Sequence, residues 1–344
     1  ATLPAVNGSW NWKRFQRGLR PPSAPTRAPG NKQSEMVTMI REPRLSLGPI
    51  LYYWPRQQVL DFYARMLELP LDIIYLGETV CAKRNLLRTE DWLVLAERFA
   101  AAGKEVVLSS LTLLEAESEL KRLRRICANG RFAVEANDLG AVHLMQGQAF
   151  VAGHSVNIYN GRTLNILARQ GLKRWVFPLE LSAETLAEMQ NERPTDVETE
   201  VFAFGRLPLA YSARCFTARA HKLLKDDCQY RCLDYPDGLA LTTQDENRFL
   251  VLNGIQTQSA RSINLIRELP RMRELGVDVV RISPQSNHMQ SVVETFSSVL
   301  RDETDPQQAA ERLETLVPIG TCDGYWHGGA GMASIHLPAV PQPS

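Results

Sequence analysis

The cysteines are the residues of this 344-residue chain with the most distinctive chemistry. Cys228 and Cys232 form a short pair, with three residues between them. Cys215 lies upstream of that pair, and Cys81 lies alone much earlier in the chain. A zinc site made of four thiolates usually combines two short pairs, so a single short pair favours an iron–sulfur cluster. The spacing leaves three interpretations open: a 4Fe-4S cluster, a zinc site, or ordinary thiols that bind no metal.

The remaining two cysteines have different expected roles. Cys127 lies near the end of a basic helical stretch and is predicted to be a semi-buried structural thiol. Cys322, in the sequence GTCDGYW, stays outside the predicted ligand set and its role is left open. Lys83 and Arg84 follow Cys81 closely, and such basic neighbours would offset the negative charge of a thiolate-bound metal centre.

Four other polar residues are candidates for a pocket. His154 and Asn157 follow the fifth strand-like run, Glu78 follows the second, and Glu180 lies near the end of the sixth. Side chains at the ends of barrel strands can bind substrate or transfer protons. Each also has a plain structural alternative, such as a hydrogen-bonded loop histidine or an ion pair of Glu78 with Arg84. The sequence therefore assigns no catalytic residue.

Short apolar runs that alternate with amphipathic stretches must position these residues. Runs such as DIIYLG and VDVVRIS are apolar on both faces, which is typical of parallel strands covered by helices. Eight such alternations predict a (β/α)8 barrel, and no GxGxxG follows the first run as a doubly wound dinucleotide-binding fold would favour. The predicted strands are Leu47–Tyr53, Leu71–Gly77, Lys104–Ser110, Arg131–Ala136, Gln148–His154, Lys173–Leu181, Val197–Gly205 and Val277–Ser283.

Local signals predict several helix ends. A capping-box-like start at Thr89 and a stop at Gly103 bound one helix. Asp138 and Ser182 are each predicted to cap the N-terminus of a helix.

A long insertion is predicted after the seventh strand, over residues 206–276, and it includes the apolar run Phe249–Leu252. Long connections within a compact domain are usually functional. Segments that follow barrel strands all lie at the C-terminal face of the barrel. We therefore expect Cys81 and the three insertion cysteines to share that face.

Composition narrows the class of protein. Hydrophobic residues make up 44% of the chain, charged residues 22%, and the net charge is +1, which is typical of a globular protein and not of a strongly basic nucleic-acid binder. Residues 1–44 carry a charge of +6 and many prolines, which predicts a disordered basic tail and leaves −5 for the rest. We expect one barrel domain over 45–335, a disordered tail over 336–344, no membrane span and a cytoplasmic location.

Five segments resemble the UbiV family, a branch of the collagenase-like peptidase superfamily that serves oxygen-independent ubiquinone biosynthesis. They are LSLGPILYYWP, IYLGETVCAKR, FVAGHSVNIYN, GRLPLAYSARCFTAR and FLVLNGIQT. Many members of the superfamily have a histidine and a further cysteine along strand seven, where this chain has Phe204 and Pro208. Cys81 is available to replace the missing ligand, which is a feature of this branch.

The resemblance implies a function that the residues alone do not. It implies one 4Fe-4S cluster and a heterodimer with a UbiU-like partner. It also implies a UbiT-like lipid carrier and oxygen-independent hydroxylation of a ubiquinone precursor. With cysteine on all four irons, electron transfer is favoured over direct chemistry at iron. The cluster ligands implied are Cys81, Cys215, Cys228 and Cys232.

Two alternatives accompany that hypothesis. One is a non-catalytic scaffold with a structural cluster, and the other is RNA-base hydroxylation, which other superfamily members perform. Proteolysis is not expected, because HExxH is absent and ligation would occupy the best nucleophile candidates. The chain is thus expected to be a subunit of an oxygen-independent ubiquinone-ring hydroxylase.

Overall fold

Twelve strands form one sheet in the computed structural model, which describes residues 42–335. The tail predicted over 1–44 lies mostly outside the described residues, as does the one predicted over 336–344. The strands are β1 (Arg44–Leu47), β2 (Ile73–Leu76), β3 (Glu105–Ser109), β4 (Ala133–Ala136), β5 (Phe150–Ala152), β6 (Leu172–Val176), β7 (Glu198–Tyr211), β8 (Leu239–Thr242), β9 (Arg248–Asn253), β10 (Gln256–Asn264), β11 (Val279–Ile282) and β12 (Thr321–Cys322).

The strands β1 to β7 and β11 close into a parallel barrel. Each strand from β1 to β6 pairs in parallel with the next, and β11 pairs in parallel with both β7 and β1. The (β/α)8 fold predicted from the sequence is therefore confirmed. A small buried apolar cluster contains Ile73, Tyr75, Val107, Val151 and Val279. A second and larger apolar core lies between the strands and the surrounding helices.

Ten α-helices lie within the described residues. They are α1 (Arg56–Leu67), α2 (Thr89–Ala101), α3 (Glu117–Cys127), α4 (Leu139–Leu144), α5 (Gly161–Gln170), α6 (Ala183–Glu192), α7 (Phe216–Ala220), α8 (Leu269–Glu274), α9 (Met289–Leu300) and α10 (Pro306–Glu314). Asp138 caps α4 and Ser182 caps α6, as predicted. The N-cap of α2 is Arg88 and not Thr89, because the Asp91 carboxylate accepts the Arg88 backbone N–H.

The predicted position of the first strand is wrong. β1 ends at Leu47, and residues 48–54 form a buried loop above the barrel. The backbone carbonyl of Leu51 can be buried in this loop without strand pairing because two side chains donate to it. The Leu51 carbonyl accepts from Arg84 Nη1 at 2.7 Å and from Asn253 Nδ2 at 2.8 Å. This apolar run is therefore buried as a loop and not as a strand, because side chains bind the Leu51 carbonyl in place of a neighbouring strand.

The seventh strand is longer than predicted. β7 continues six residues beyond Gly205, because β10 pairs with it in antiparallel register from Gln256 opposite Tyr211 to Asn264 opposite Phe204. β9 then pairs with β10, and β8 pairs with β9. The chain between β7 and β11 thus extends the barrel wall upward as an antiparallel ribbon that projects above the barrel's C-terminal end.

Candidate functional site

A buried charged network fills the upper interior of the barrel. Arg281 donates from Nη1 to Glu135 at 2.7 Å and from Nε to Glu200 at 2.9 Å. Its guanidinium lies 4.0 Å from the ring of Tyr75, which itself donates to Glu200. Burial alone would raise the pKa of Glu200, but the Arg281 and Arg174 guanidinium groups bring it below its usual value. The buried charges of Arg281, Glu135 and Glu200 are therefore paired with charges of opposite sign.

The carboxylate of Glu135 is saturated by donors. Its second oxygen accepts from Ser109 Oγ at 2.7 Å and from Asn137 Nδ2 at 3.3 Å. Its first oxygen is taken by Arg281. Glu135 is 1% exposed, so these donors take the place of solvent around its carboxylate. Polar residues here replace the aliphatic layers that usually fill such a barrel.

A small cavity lies above this network, and we call it the barrel-mouth cavity. Thr79, Glu135, His154 and Arg281 are among its lining residues. Both ring nitrogens of His154 are buried without a hydrogen-bond partner in residues 42–335. Burial, reinforced by the nearby Arg281 charge, lowers the pKa of His154 to about 3. The imidazole is therefore neutral over the physiological range.

The other three predicted pocket residues lie elsewhere. Asn157 is exposed and ends a short 3-10 helix in a left-handed conformation. Glu180 is exposed and accepts a hydrogen bond from Tyr159. Glu78 accepts the backbone N–H groups of Val80 at 2.9 Å and Cys81 at 3.0 Å. The structure brings His154 to the barrel-mouth cavity, whereas Glu78 orders the loop that carries Cys81.

Cys81 and the three insertion cysteines lie at the same end of the barrel. All four are free thiols and partly buried. Cys81 and Cys215 pack against one apolar group that includes Val80 and Ile255. Burial raises the pKa of Cys81 to about 11 and also raises the pKa of Cys232, against the opposing effect of the Arg84 charge on both thiols. Within residues 42–335, no three Cys, His, Asp or Glu side chains are placed to bind one metal ion.

Arg84 stands at the centre of this cysteine region, although the sequence suggested it only as a neighbour of Cys81. It is 3% exposed, and its Nη2 donates to Asn253 at 2.7 Å. The charges of Glu78, Cys232 and Cys81 raise the pKa of Arg84 against the opposing effect of burial. One buried cation therefore interacts electrostatically with thiols from both the β2 loop and the insertion.

The insertion is fastened to the barrel at several points. Lys83 Nζ donates to the Lys225 carbonyl at 2.9 Å and to Asp226 at 3.1 Å, which joins the Cys81 loop to the segment before Cys228. The Ser286 backbone N–H donates to Asp237 at 2.8 Å. Beside Cys81, the Lys83 contacts with Lys225 and Asp226 border a cavity of about 400 Å3, which is the size range of ligand pockets.

Cys127 and Cys322 are buried in the main core, apart from the cysteine region. Burial raises the pKa of Cys322 to about 12. In the described part of the chain, no helix is both long and apolar enough to cross a bilayer.

Comparison with known proteins identifies relatives of this chain. The "tRNA hydroxylation protein P1" of Bacillus subtilis (strain 168) is 26% identical over 182 residues, 48% of this chain and 41% of the relative. The "tRNA hydroxylation protein P" of Escherichia coli (strain K12) is 41% identical over 59 residues, 17% of this chain and 13% of the relative. The chain thus spans less than half the length of these relatives.

A solved structure of a U32 peptidase is also similar, with a TM-score of 0.40 and 12% identity over 76% of this chain and 97% of that one. The model of the family described as "Peptidase family U32" matches residues 61–335, which is most of the sequence. The resemblance to the peptidase superfamily is thereby confirmed at the level of the family: the chain belongs to peptidase family U32.

Proposed function

We propose that this chain binds one 4Fe-4S cluster and is a subunit of an oxygen-independent hydroxylase that acts on the ring of a ubiquinone precursor. Its partner would be a UbiU-like protein, and a UbiT-like lipid carrier would present the substrate. The proposed cluster ligands are the four cysteines of the cysteine region, Cys81, Cys215, Cys228 and Cys232.

The buried charge of Arg84 is the observation that carries the cluster proposal. A buried cation needs a compensating anion. The carboxylate of Glu78 approaches Arg84 Nη1 only to 3.8 Å, and burial raises the pKa of Glu78, which weakens it as a counter-ion. Four thiolates around a 4Fe-4S core carry a net charge of about −2. Such a group would give Arg84 a second anionic partner beside the Glu78 carboxylate.

The donor set supports the same group. Four free, partly buried thiols are the usual ligands of a 4Fe-4S cluster. A cluster would keep them ionised against the burial that raises the pKa of Cys81 and Cys232. Because cysteine would bind every iron, the cluster's contribution would be to pass electrons, and the polar residues of the barrel would position the substrate.

RNA-base hydroxylation is the second candidate, and the names of the two curated relatives favour it. The net charge of −5 outside residues 1–44 argues against it, because RNA binding relies on basic surface. We therefore rank the quinone-precursor ring first. Both candidates share a hydroxylation that uses no molecular oxygen.

Iron and sulfide analysis of the anaerobically purified chain tests the cluster. We expect about four irons and four sulfides per chain with broad visible absorption. Cys228→Ala should lose most of the iron, whereas Cys127→Ala, which alters a buried thiol of α3, should retain it. Full iron retention in Cys228→Ala would overturn the ligand set, and stoichiometric zinc would overturn the cluster.

Substrate is tested separately, with the chain co-expressed with a UbiU-like protein under anaerobic conditions. The proposal expects a hydroxylated quinone precursor and unmodified tRNA. Modified tRNA with unchanged quinone precursor would favour the second candidate. If cluster-free Cys228→Ala supports undiminished ring hydroxylation, the cluster is not needed for the reaction and this chain acts as a non-catalytic scaffold.

A further inference from the structure

A short exposed segment around Cys215 carries three cations that have no ion-pair partner in the described part of the chain. Residues 212–225 contain no Asp or Glu. The side chains of Arg214, Arg219 and Lys222 are exposed, and none of the ion pairs or side-chain hydrogen bonds within residues 42–335 includes them. Their charges are therefore available to an anionic partner.

The backbone of Lys222 is a second unusual feature of this segment. Its φ is +58°, which is the left-handed region that favours glycine. Lys222 directly follows His221, the C-cap residue of α7, and glycine is the usual residue at that position of a helix end. Because the lysine side chain has no partner within the fold, stability alone would favour glycine here. The position of Lys222 is better explained by a contact of its ammonium group with another molecule.

The same segment exposes an apolar side chain. Leu224 is 78% exposed, which is the largest exposed fraction of any large hydrophobic side chain in residues 42–335. A single exposed leucine needs no explanation by itself, but this one lies two residues from Lys222. We call Arg214, Arg219, Lys222 and Leu224 the α7 patch. Cations beside an apolar side chain suit a protein partner that carries acidic residues.

The α7 patch lies beside one of the proposed cluster ligands. Cys215 is the N-cap of α7, and its sulfur accepts the Ala218 backbone N–H at 3.4 Å. Arg214 precedes Cys215 directly, and Arg219 lies four residues after it. Electron-transfer proteins form weak encounters that bury little surface, and complementary charge steers and orients such encounters. A small basic patch next to a redox centre matches that kind of contact.

We propose that the α7 patch is the docking surface for a small acidic electron-transfer protein that exchanges electrons with the cluster. This assignment rests on the proposed function for the presence of the cluster, but the contact itself does not use the cysteines. RNA is a weaker match, because three cations on one short segment neutralise few phosphates, and RNA affinity grows with the number neutralised. A membrane surface is also a weaker match, because it requires a larger apolar face than Leu224 provides.

Binding of a small acidic 2Fe-2S ferredoxin to the anaerobically purified full chain, measured by calorimetry at low and at high salt, tests the proposal. The affinity should fall as salt rises. Lys222→Gly should weaken binding about two- to fivefold, the change expected for one exposed charge. Its thermal midpoint should stay unchanged or rise, because glycine relieves the left-handed backbone. Lower affinity at undiminished stability is the combination that a merely structural role of Lys222 would not produce.

Charge reversal gives the larger effect and its control. The combined variant Arg214→Glu, Arg219→Glu and Lys222→Glu should weaken ferredoxin binding about tenfold or more, because like charges then face each other. Arg169→Glu is the matched control and should bind as the wild type does. Arg169 is an exposed cation in the last turn of α5, which leads into the start of β6, at the end of the barrel opposite Cys215.

Equal affinity in the wild type and the charge-reversed variant would overturn the proposal, as would ferredoxin binding that does not depend on salt or is absent. Charge reversal that abolishes binding of tRNA or of anionic vesicles and leaves ferredoxin binding unchanged would assign the patch to that other partner. Iron content of the same samples separates the two proposals. Patch-dependent ferredoxin binding by a chain without iron would refute the cluster and not the docking surface, whereas a full cluster with a patch that does not affect binding would refute only the docking surface.

Discussion

His154 should make the fold sensitive to mild acid. Its pKa is lowered from 6.5 to about 3 by burial and by Arg281. As the pH falls below 6.5, the unfolded chain protonates this imidazole while the folded chain keeps it neutral. The contribution of neutral His154 to the free energy of unfolding is therefore fully present above pH 6.5 and is lost progressively toward pH 3. The two values set an upper bound of about 5 kcal/mol, of which about 2 kcal/mol is lost between pH 7.5 and pH 5.

His154→Leu removes this proton uptake and replaces the imidazole with an apolar side chain of similar size. We expect its free energy of unfolding in urea to fall about 2 kcal/mol less than that of the wild type between pH 7.5 and pH 5. Taking the difference between the two proteins cancels the contribution of every titrating group that the substitution leaves unchanged. His143→Leu, at an exposed position in α4, is the matched control and should keep the wild-type loss.

An equal loss of stability in wild type and His154→Leu would refute the reasoning. Direct titration provides a second check, because the 15N signals of His154 should not move between pH 7.5 and pH 5. A midpoint near 6.5 in that titration would mean that water reaches the ring and that the ring nitrogens of His154 are not buried.

Three further substitutions test other parts of the structure. Gly77→Ala should destabilise the fold by about 3 kcal/mol or more in thermal denaturation, because the φ of Gly77 is +145° and a Cβ would lie 2.4 Å from the Ser109 carbonyl oxygen. Gly103→Ala is the control, because Gly103 has a φ of +80° with open space around it. It should cost about 1 kcal/mol in the same assay. Asp138→Ala should cost about 0.5–2 kcal/mol in the same assay, and no loss would mean that its two cap hydrogen bonds are dispensable. Arg84→Met should lower the reduction potential of the proposed cluster in an EPR-monitored titration, because it removes a positive charge, and Arg84→Lys should stay close to wild type. An unchanged potential in Arg84→Met would mean that Arg84 does not lie near the cluster.

The barrel was predictable because its strands are short and apolar on both faces. The run IIYL became β2 with every residue buried, and the run VVRI became β11. The first strand was misplaced because the run ILYYW is as apolar as a strand. What makes it a loop is the pair of side chains from Arg84 and Asn253 that satisfy its backbone, and these lie 33 and 202 residues from Leu51. No local pattern carries that information.

The candidate site was predictable only in part. Segments that follow barrel strands lie at one face of the barrel, and this principle predicted that Cys81 shares a face with the insertion cysteines. The same principle selected His154 as a pocket residue. It equally selected Asn157 and Glu180, which point to solvent, because position after a strand does not fix side-chain direction. Arg281 was missed although a charged residue inside an otherwise apolar strand is a visible signal. Its two partners, Glu135 and Glu200, come from β4 and β7, so only closure of the barrel brings the three together.

Closure of the barrel by β11 also determines when these sites can form during synthesis of the protein. β1 has no partner on one side until β11 follows it, 238 residues after Arg44. At about 5–20 residues per second, a ribosome needs on the order of ten to fifty seconds to make that stretch. Throughout this time the nascent chain exposes an unpaired strand edge and the lone thiol of Cys81. Such an edge is able to pair with a strand of another chain, so the barrel is open to misassembly until β11 has been made.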